Sequence, residues 1–322
     1  MGDNMNLEEI KVEKELKIVY MGTSSFSATV LEGLLTKYNV RAIVTQPDRK
    51  VGREGIIKFS PVKECANKHT ILVVQPENIK TEYEEILAFQ PDLIITCAYG
   101  QIIPKELLQA PRLGCINVHA SLLPRLRGGA PIQHAIMQGH SKTGITIMYM
   151  DEKMDSGDII CQKEIPIEVD DTASSLHDKL AILGRDLLLE TLPSIIAGTN
   201  GRTKQDEAMV TYAPIIKRED ERIDFSKNEK QIYNKVRALY DWPGAYAVFG
   251  GKILKIWKCR EGDNNYFGMV NGTITEIYED GFGVKVENGE IIITELQLEG
   301  KKRMSGKDFV NGHQNLKGKI LE

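Results

Sequence analysis

Lys17-Ile18-Val19-Tyr20-Met21 is a short apolar run that stops at Gly22, and from Ser27 to Leu35 apolar residues recur at helical spacing. The pattern predicts a strand, a turn and a helix. Val40–Thr45 reads as a second strand, followed by a polar, glycine-containing loop from Gln46 to about Phe59. Pro61–His69 predicts a helix, Ile71–Val74 a strand, Asn78–Phe89 a helix and Asp92–Ala98 a strand. Gly114–His119 and Gly144–Met150 are further strands, and Ser174–Ile196 is a long helix. Strands alternating with helices predict an α/β domain with a Rossmann-like, mostly parallel sheet covered on both faces.

The pattern changes near residue 205. Gly198 to Lys204 is a polar link, and Asn228–Leu239 has helical spacing. After Trp242-Pro243-Gly244 come five short strands, Ala245–Phe249, Ile253–Trp257, Met269–Ile277, Phe282–Val286 and Ile291–Leu296. Gly250-Gly251 and Asn288-Gly289 are tight-turn signals between them. So many short strands predict a small OB-like β-barrel. Three regions follow: an extension over 1–16 expected to be mobile, a catalytic domain over 17–204, and a linker with the barrel over 205–322.

Composition bounds this picture without deciding it. The 322 residues, 42% hydrophobic and 27% charged, suffice for two packed domains, and a net charge of -4 does not by itself point to a nucleic acid. The five cysteines include no Cys-x-x-Cys pair, so buried thiols in a reducing, cytoplasmic setting are expected and no zinc site is. No apolar run is long enough to cross a bilayer, and residues 1–17 are too charged for a signal peptide.

Gly22-Thr23-Ser24-Ser25-Phe26 stands where dinucleotide-binding folds carry Gly-x-Gly-x-x-Gly, with only the first glycine present, which argues against a nicotinamide or flavin cofactor. The informative stretch is Asn117-Val118-His119-Ala120-Ser121-Leu122-Leu123-Pro124-Arg125-Leu126-Arg127-Gly128-Gly129. Asn117 and His119, two apart at a strand end, leave the same face. The Asn-x-His pair alone is weak, since a histidine in a strand is more often structural. The proline, two arginines and two glycines that follow make a rigid cationic loop. Met150-Asp151-Glu152-Lys153-Met154-Asp155-Ser156-Gly157-Asp158 follows another apolar strand and should lie at the same sheet end. Carboxylates near a turn are usually solvated or capping, but one beside His119 would orient the imidazole and favour its charged form.

These two stretches closely resemble the folate-dependent formyltransferase family. The resemblance implies that Asn117, His119 and Asp155 are catalytic and that Ser121, Leu122, Leu123 and Pro124 contact folate. Ala98-Tyr99-Gly100 with Ile103-Pro104 is similar to the family segment lining the pterin pocket, which adds Tyr99 and Gly100. Within the family, Gln46-Pro47-Asp48-Arg49 with Gly52-Arg53 looks like the loop inserted in members that act on methionyl-tRNA. Arg222-Ile223-Asp224-Phe225, Arg237-Ala238, Trp242-Pro243-Gly244-Ala245 and Glu299-Gly300-Lys301-Lys302-Arg303-Met304 resemble their second domain. The implied reaction takes the formyl group of 10-formyltetrahydrofolate to the amine of initiator Met-tRNA, with no metal required. Arg49, Arg53, Lys301, Lys302 and Arg303 are the implied tRNA contacts, and a bacterial, monomeric enzyme is expected. One departure stands out: Glu54-Gly55-Ile56-Ile57 occupies positions where the tRNA enzymes carry basic residues. A sugar-nucleotide N-formyltransferase is the alternative sharing the same core. A catalytically dead RNA-binding protein is another, which an intact Asn117, His119 and Asp155 disfavour.

Overall fold

The computed structural model describes residues 16–51 and 55–322, so the extension expected at the start of the chain lies, but for Leu16, outside the described residues. The described residues fall into two compact units. The first holds those up to Pro131 together with Thr143–Ile165 and His177–Pro214. The second holds Ile132–Lys142, Pro166–Leu176 and Ile215–Glu322.

The first unit is built on strands β1 (Ile18–Gly22), β2 (Val40–Val44), β5 (Val73–Val74), β6 (Leu93–Cys97), β7 (Cys115–His119), β8 (Lys142–Tyr149) and β9 (Ile159–Pro166), ordered β5-β2-β1-β6-β7-β8-β9. The pairings from β5 to β7 are parallel, and β8 lies antiparallel to β7. Every residue of β1 and of β6 is buried, as central strands covered on both faces require. Between β1 and β6 the strand order reverses, which opens a crevice beyond their carboxyl ends. Gly22 closes β1 because nothing larger fits: a Cβ there would lie 1.8 Å from Ser27 Oγ and 2.8 Å from the Cys97 carbonyl oxygen. Helix α1 (Ser25–Leu35) follows at once, its N-terminus capped by Ser24, which accepts from Ser27 N.

Sequence periodicity and structure part in several places. Of the helix expected over Asn78–Phe89, only Glu84–Ala88 (α3, after α2 over Pro61–Lys68) is helical. The side chain of Asn78 accepts from Lys80 N and its carbonyl from Thr81 N and Glu82 N, so the first turn is spent on a side-chain-led turn. The loop from Gln46 carries a hairpin, β3 (Arg49–Val51) against β4 (Ile56–Lys58), with Arg49 opposite Lys58. The edge strand β9 has no apolar alternation to betray it, as none of its side chains is buried. Helices α4 (Lys105–Gln109), α5 (Pro131–Met137) and α6 (Ala173–Ile196) complete this part of the chain.

In the second unit, β10 (Ala245–Phe249), β11 (Lys252–Glu261), β12 (Ile274–Tyr278), β13 (Gly281–Lys285) and β14 (Glu290–Leu298) form an antiparallel sheet ordered β10-β11-β14-β13-β12, with β15 (Met304–Ser305) added to β14. Gly250 and Gly251 both have positive φ, the conformation the two-residue β10–β11 turn demands. The strand expected from Met269 starts only at Ile274, past Gly272, whose φ of +85 and close approach to the Leu321 carbonyl leave no room for a side chain. Helix α7 (Glu229–Ala238) is opened by a reciprocal Asn228–Gln231 capping box and buries Ile232 and Val236 in the sheet's core. Its Arg237, largely buried, donates to Asn234 Oδ1 and to the carbonyls of Glu168 and Asp171, which ties residues 166–176 to this unit. Helix α8 (Gly306–Asn311) lays Phe309 on the same core.

Candidate active site

Asn117 and His119 leave one face of β7 at its carboxyl end, opposite Met148 and Thr146 of β8. The Thr96 hydroxyl on β6 donates to Asn117 Oδ1 at 2.9 Å. An amide whose oxygen is taken in this way turns its NH2 outward, and those hydrogens make no bond among the described residues.

His119 is 6% exposed. Its Nε2 lies 3.1 Å from the Leu126 carbonyl, which only accepts, so Nε2 carries a hydrogen. Nδ1 then faces Asp155 Oδ1 at 3.8 Å, an ion-pair separation rather than a hydrogen bond. Nε2 therefore has its acceptor, while Nδ1 has a carboxylate near it without a hydrogen bond. Asp155 has the left-handed φ of +50, unusual for a residue with a side chain, and its Oδ2 accepts from the backbone N–H of Gly128 at 2.8 Å. Gly157 follows two residues on, where a Cβ would strike the Tyr149 carbonyl at 1.9 Å.

The Ser121-Leu122-Leu123-Pro124 segment is a tight turn ending in a cis Leu123-Pro124 bond. Ser121 Oγ donates to the Arg125 carbonyl at 2.7 Å, Leu123 N to Thr146 Oγ1 at 3.1 Å, and Gln162 Nε2 to the Leu123 carbonyl at 2.8 Å. The turn thus consumes its own polar groups and leaves Leu122 and Pro124 half-exposed. Just past the end of β6, Ala98 and Gly100 are exposed and both have positive φ. Between them Tyr99 turns into the core, its carbonyl held by Thr23 Oγ1 and Gln46 Nε2. Burial raises the Tyr99 phenol well above its usual range, and its hydroxyl has no hydrogen-bond partner among the described residues.

The two arginines of the cationic loop part company. Arg125 is exposed, whereas Arg127 is 4% exposed and fully engaged with Gln205 and Glu207. Neither Thr96 nor Gln205 carries any mark in the sequence. Arg49 is exposed on β3, and Arg53 lies outside the described residues. In the second unit Lys301 and Lys302 are exposed. Arg303 instead pairs with Glu295 and Asp241, donates to Tyr240 Oη at 2.9 Å and lies over the rings of Tyr240 and Trp257. Among the described residues no group of three or more His, Cys, Asp or Glu is placed to hold a metal ion.

A carboxamide, an imidazole and a carboxylate lie together beyond the strand ends, a set able to stabilise developing negative charge and to take up a proton. Residues 16–192 match the model of the formyl transferase family, and residues 215–314 that of the formyl transferase C-terminal domain. The chain is 52% identical over 301 residues to the methionyl-tRNA formyltransferase of Geobacillus sp. (strain WCH70), covering 92% of this chain and 94% of that one. It is 50% identical over 309 residues to the methionyl-tRNA formyltransferase of Bacillus subtilis (strain 168), covering 95% and 97%. Among solved structures, the N-formyltransferase from Helicobacter canadensis in complex with folinic acid and dTDP-3-aminofucose shares the fold at a TM-score of 0.64 and 23% identity, over 86% of this chain and 98% of that one. HypX from Aquifex aeolicus in complex with tetrahydrofolic acid shares it at 0.62 and 18%, over 91% and 46%. The chain belongs to the formyl transferase family and is an enzyme of group transfer.

Proposed function

We propose that this enzyme moves the formyl group of 10-formyltetrahydrofolate to the α-amine of methionine on initiator Met-tRNA, giving N-formylmethionyl-tRNA and tetrahydrofolate. The observation that carries the reading is the Asn117–His119–Asp155 cluster at the carboxyl end of β7, in a chain 52% identical to a methionyl-tRNA formyltransferase along nearly its whole length. Folate is proposed to lie against the half-exposed Leu122 and Pro124, which offer apolar contact, and against the exposed Ala98 and Gly100. Tyr99 acts there through its anchored main chain, since its ring belongs to the core.

The co-substrate supplies an activated formyl carbonyl. Asn117 presents its free amide hydrogens to the oxygen on which negative charge develops as the amine attacks. His119, in its charged form, has one N–H on Leu126 and the other toward Asp155, so it stabilises that charge through space unless it releases Leu126 to donate directly. Asp155 is the acceptor for the proton the amine loses, and the proton leaves with the folate nitrogen as the C–N bond to it breaks. Arg49, Arg53, Lys301 and Lys302 are proposed to meet tRNA phosphates. Arg303 is proposed to support them by fixing the turn that carries the two lysines. The enzyme is proposed to act as a cytoplasmic monomer.

A transfer assay with labelled 10-formyltetrahydrofolate tests the reading, offering initiator Met-tRNA, sugar nucleotides and glycinamide ribonucleotide side by side. Label on a sugar nucleotide and none on Met-tRNA would sink it.

A further inference from the structure

The stretch 203–213 after helix α6 is bound into the catalytic loops at every turn. Its Thr211 accepts from Leu126 N through Oγ1 at 2.9 Å and from Arg127 N through its carbonyl at 2.9 Å. Ala213 N donates to the Arg127 carbonyl at 2.7 Å, and the Ala213 carbonyl accepts from Ala130 N at 3.0 Å. A Cβ at Gly128 would lie 2.6 Å from that carbonyl, so the strap presses directly on the peptide whose N–H holds Asp155. One residue of the strap reaches Asp155 from the other side. Gln205 Nε2 donates at 2.8 Å to the Asp155 carbonyl and at 2.8 Å to the Gly157 carbonyl. Its Oε1 accepts from Nε and Nη2 of the buried Arg127 at 3.0 and 2.8 Å. The orientation of this amide is forced, because a guanidinium only donates and the two carbonyls only accept. Arg127 is held in turn by Glu207 at 2.9 Å.

We propose that Gln205 is a positioning residue for catalysis, its amide fixing the left-handed backbone at Asp155 and thereby the direction of the Asp155 carboxylate toward His119. This rests on the formyl-transfer reading with Asp155 as its carboxylate. A left-handed aspartate is a conformation the backbone resists and keeps only where its surroundings over-determine it. Here two neighbouring carbonyls share one donor, and that donor is locked by a buried cation. Were the strap only a linker, nothing would require an amide at 205 that both donates and accepts.

Gln205→Glu separates the two halves of the interaction. It keeps the acceptor for Arg127 and removes the donor to both carbonyls. Gln205→Met removes both. The expected result for Gln205→Glu is a melting temperature near wild type, KM for Met-tRNA and 10-formyltetrahydrofolate within about twofold, and a kcat lower by roughly 10- to 100-fold, the scale of a catalytic group displaced by about an ångström. Single-turnover rates in an Asp155→Asn background supply the readout that general destabilisation would not move: there the same change at 205 should cost nothing further. Should Gln205→Glu not fold, the cycle is read on Gln205→Met. Wild-type kcat in the variant, or a loss that multiplies in full on top of Asp155→Asn, overturns the proposal. Full activity of Asp155→Asn alone is a different outcome and sinks the catalytic reading itself.

Discussion

The hydroxyl of Thr96, buried on β6, donates to the side-chain oxygen of Asn117 on the neighbouring strand at 2.9 Å, in a register that sets the two residues directly opposite each other. The Thr96 hydroxyl also lies 3.1 Å from the Ile116 carbonyl and 3.1 Å from the Met150 sulfur, so its single proton has three acceptors within reach, Asn117 the nearest. Thr96→Val keeps the shape and the β propensity but leaves the Asn117 amide free to rotate. The expected outcome is a kcat lower by about tenfold, part of what loss of a whole oxyanion donor costs, with KM little changed. Thr96→Ser should keep most of the activity. Steady-state kinetics on the two variants decide it, and an unimpaired Thr96→Val would detach Thr96 from the site.

His119 and Asp155 face each other across 3.8 Å with no bond between them, yet each is fixed by the same loop, His119 by the Leu126 carbonyl and Asp155 by Gly128 N. Groups held as one unit should fail as one. His119→Ala and Asp155→Asn are each expected to lower turnover by at least about 100-fold, and the double variant to be far from the product of the two. Both should fold as wild type by circular dichroism. Near-normal turnover in either single variant removes that residue from the catalytic set.

Much of this arrangement is legible along the chain, and what is not has physical reasons. Two polar residues spaced by two at a strand end must share a face, and an acidic turn after the next strand reaches the same edge of the sheet; that spacing groups Asn117 and His119 with the acidic turn but leaves the pair weak, and it is the resemblance to the formyltransferase family that singles out Asn117, His119 and Asp155. Arg127 does not, because an arginine in a glycine-bearing loop reads as solvated charge, and only the fold reveals that Gln205 and Glu207 bury it. Gln205 is neutral, lies 50 residues from Asp155 in the chain, and belongs to a stretch whose polarity resembles a linker. The Lys301-Lys302-Arg303 run reads as one cationic cluster although its third member is neutralised by Glu295. The hairpin β3–β4 escapes because none of the described β4 side chains is buried, so no face distinguishes itself.

That division of the basic run separates two outcomes. Replacing Lys301 and Lys302 by alanine should weaken tRNA binding and flatten its dependence on salt, by close to one unit of slope for each phosphate no longer neutralised, with folate binding and melting unchanged. Arg303→Ala should instead lower the melting temperature, since it leaves Glu295 with Lys258 alone and leaves Tyr240 and Trp257 without the guanidinium lying over them. Binding isotherms at several salt concentrations, together with thermal melts, distinguish the two. An unaltered slope in the double lysine variant returns those residues to a solvated edge.

The thiols provide a check on the packing. Burial pushes Cys65 up to about 11 and Cys97, Cys115 and Cys259 to about 12, while Cys161 is only half-buried and raised less. At pH 8 a thiol titrating near 12 is thiolate in about 1 molecule in 10,000, and the thiolate is the reacting species. The folded protein should therefore take up alkylating reagent slowly and first at Cys161, whereas all five cysteines react in denaturant. Peptide mapping after a timed exposure to iodoacetamide reads this directly. Early modification of Cys97 or Cys115, both in the sheet, would contradict the packing.

At the root of the β3–β4 hairpin, Asp48 is gripped by Lys63 Nζ at 2.5 Å and by Gln75 Nε2 at 2.9 Å, and Gln75 also donates to the Gln46 carbonyl at 2.9 Å. The hydrogen bond from Lys63, then that from Gln75, holds the Asp48 carboxyl below the ordinary value of about 3.8. The sign of the linkage follows. A carboxyl whose folded value is depressed binds its proton more readily in the unfolded chain, so its contribution to stability is fully present above about 3.8 and is lost as pH falls through the lower folded value. Asp48→Asn removes that contribution. The difference in melting temperature between wild type and variant should therefore be constant from pH 7 down to about 5, then shrink toward zero as the medium becomes more acid than the folded Asp48. The variant should also bind Met-tRNA more weakly at neutral pH with folate binding intact, because the hairpin carrying Arg49 has lost its clamp. Paired melts across the acid range and one tRNA-binding measurement settle the matter, and a melting difference that persists undiminished at the acid end would show that Asp48 stabilises the hairpin by something other than its charge.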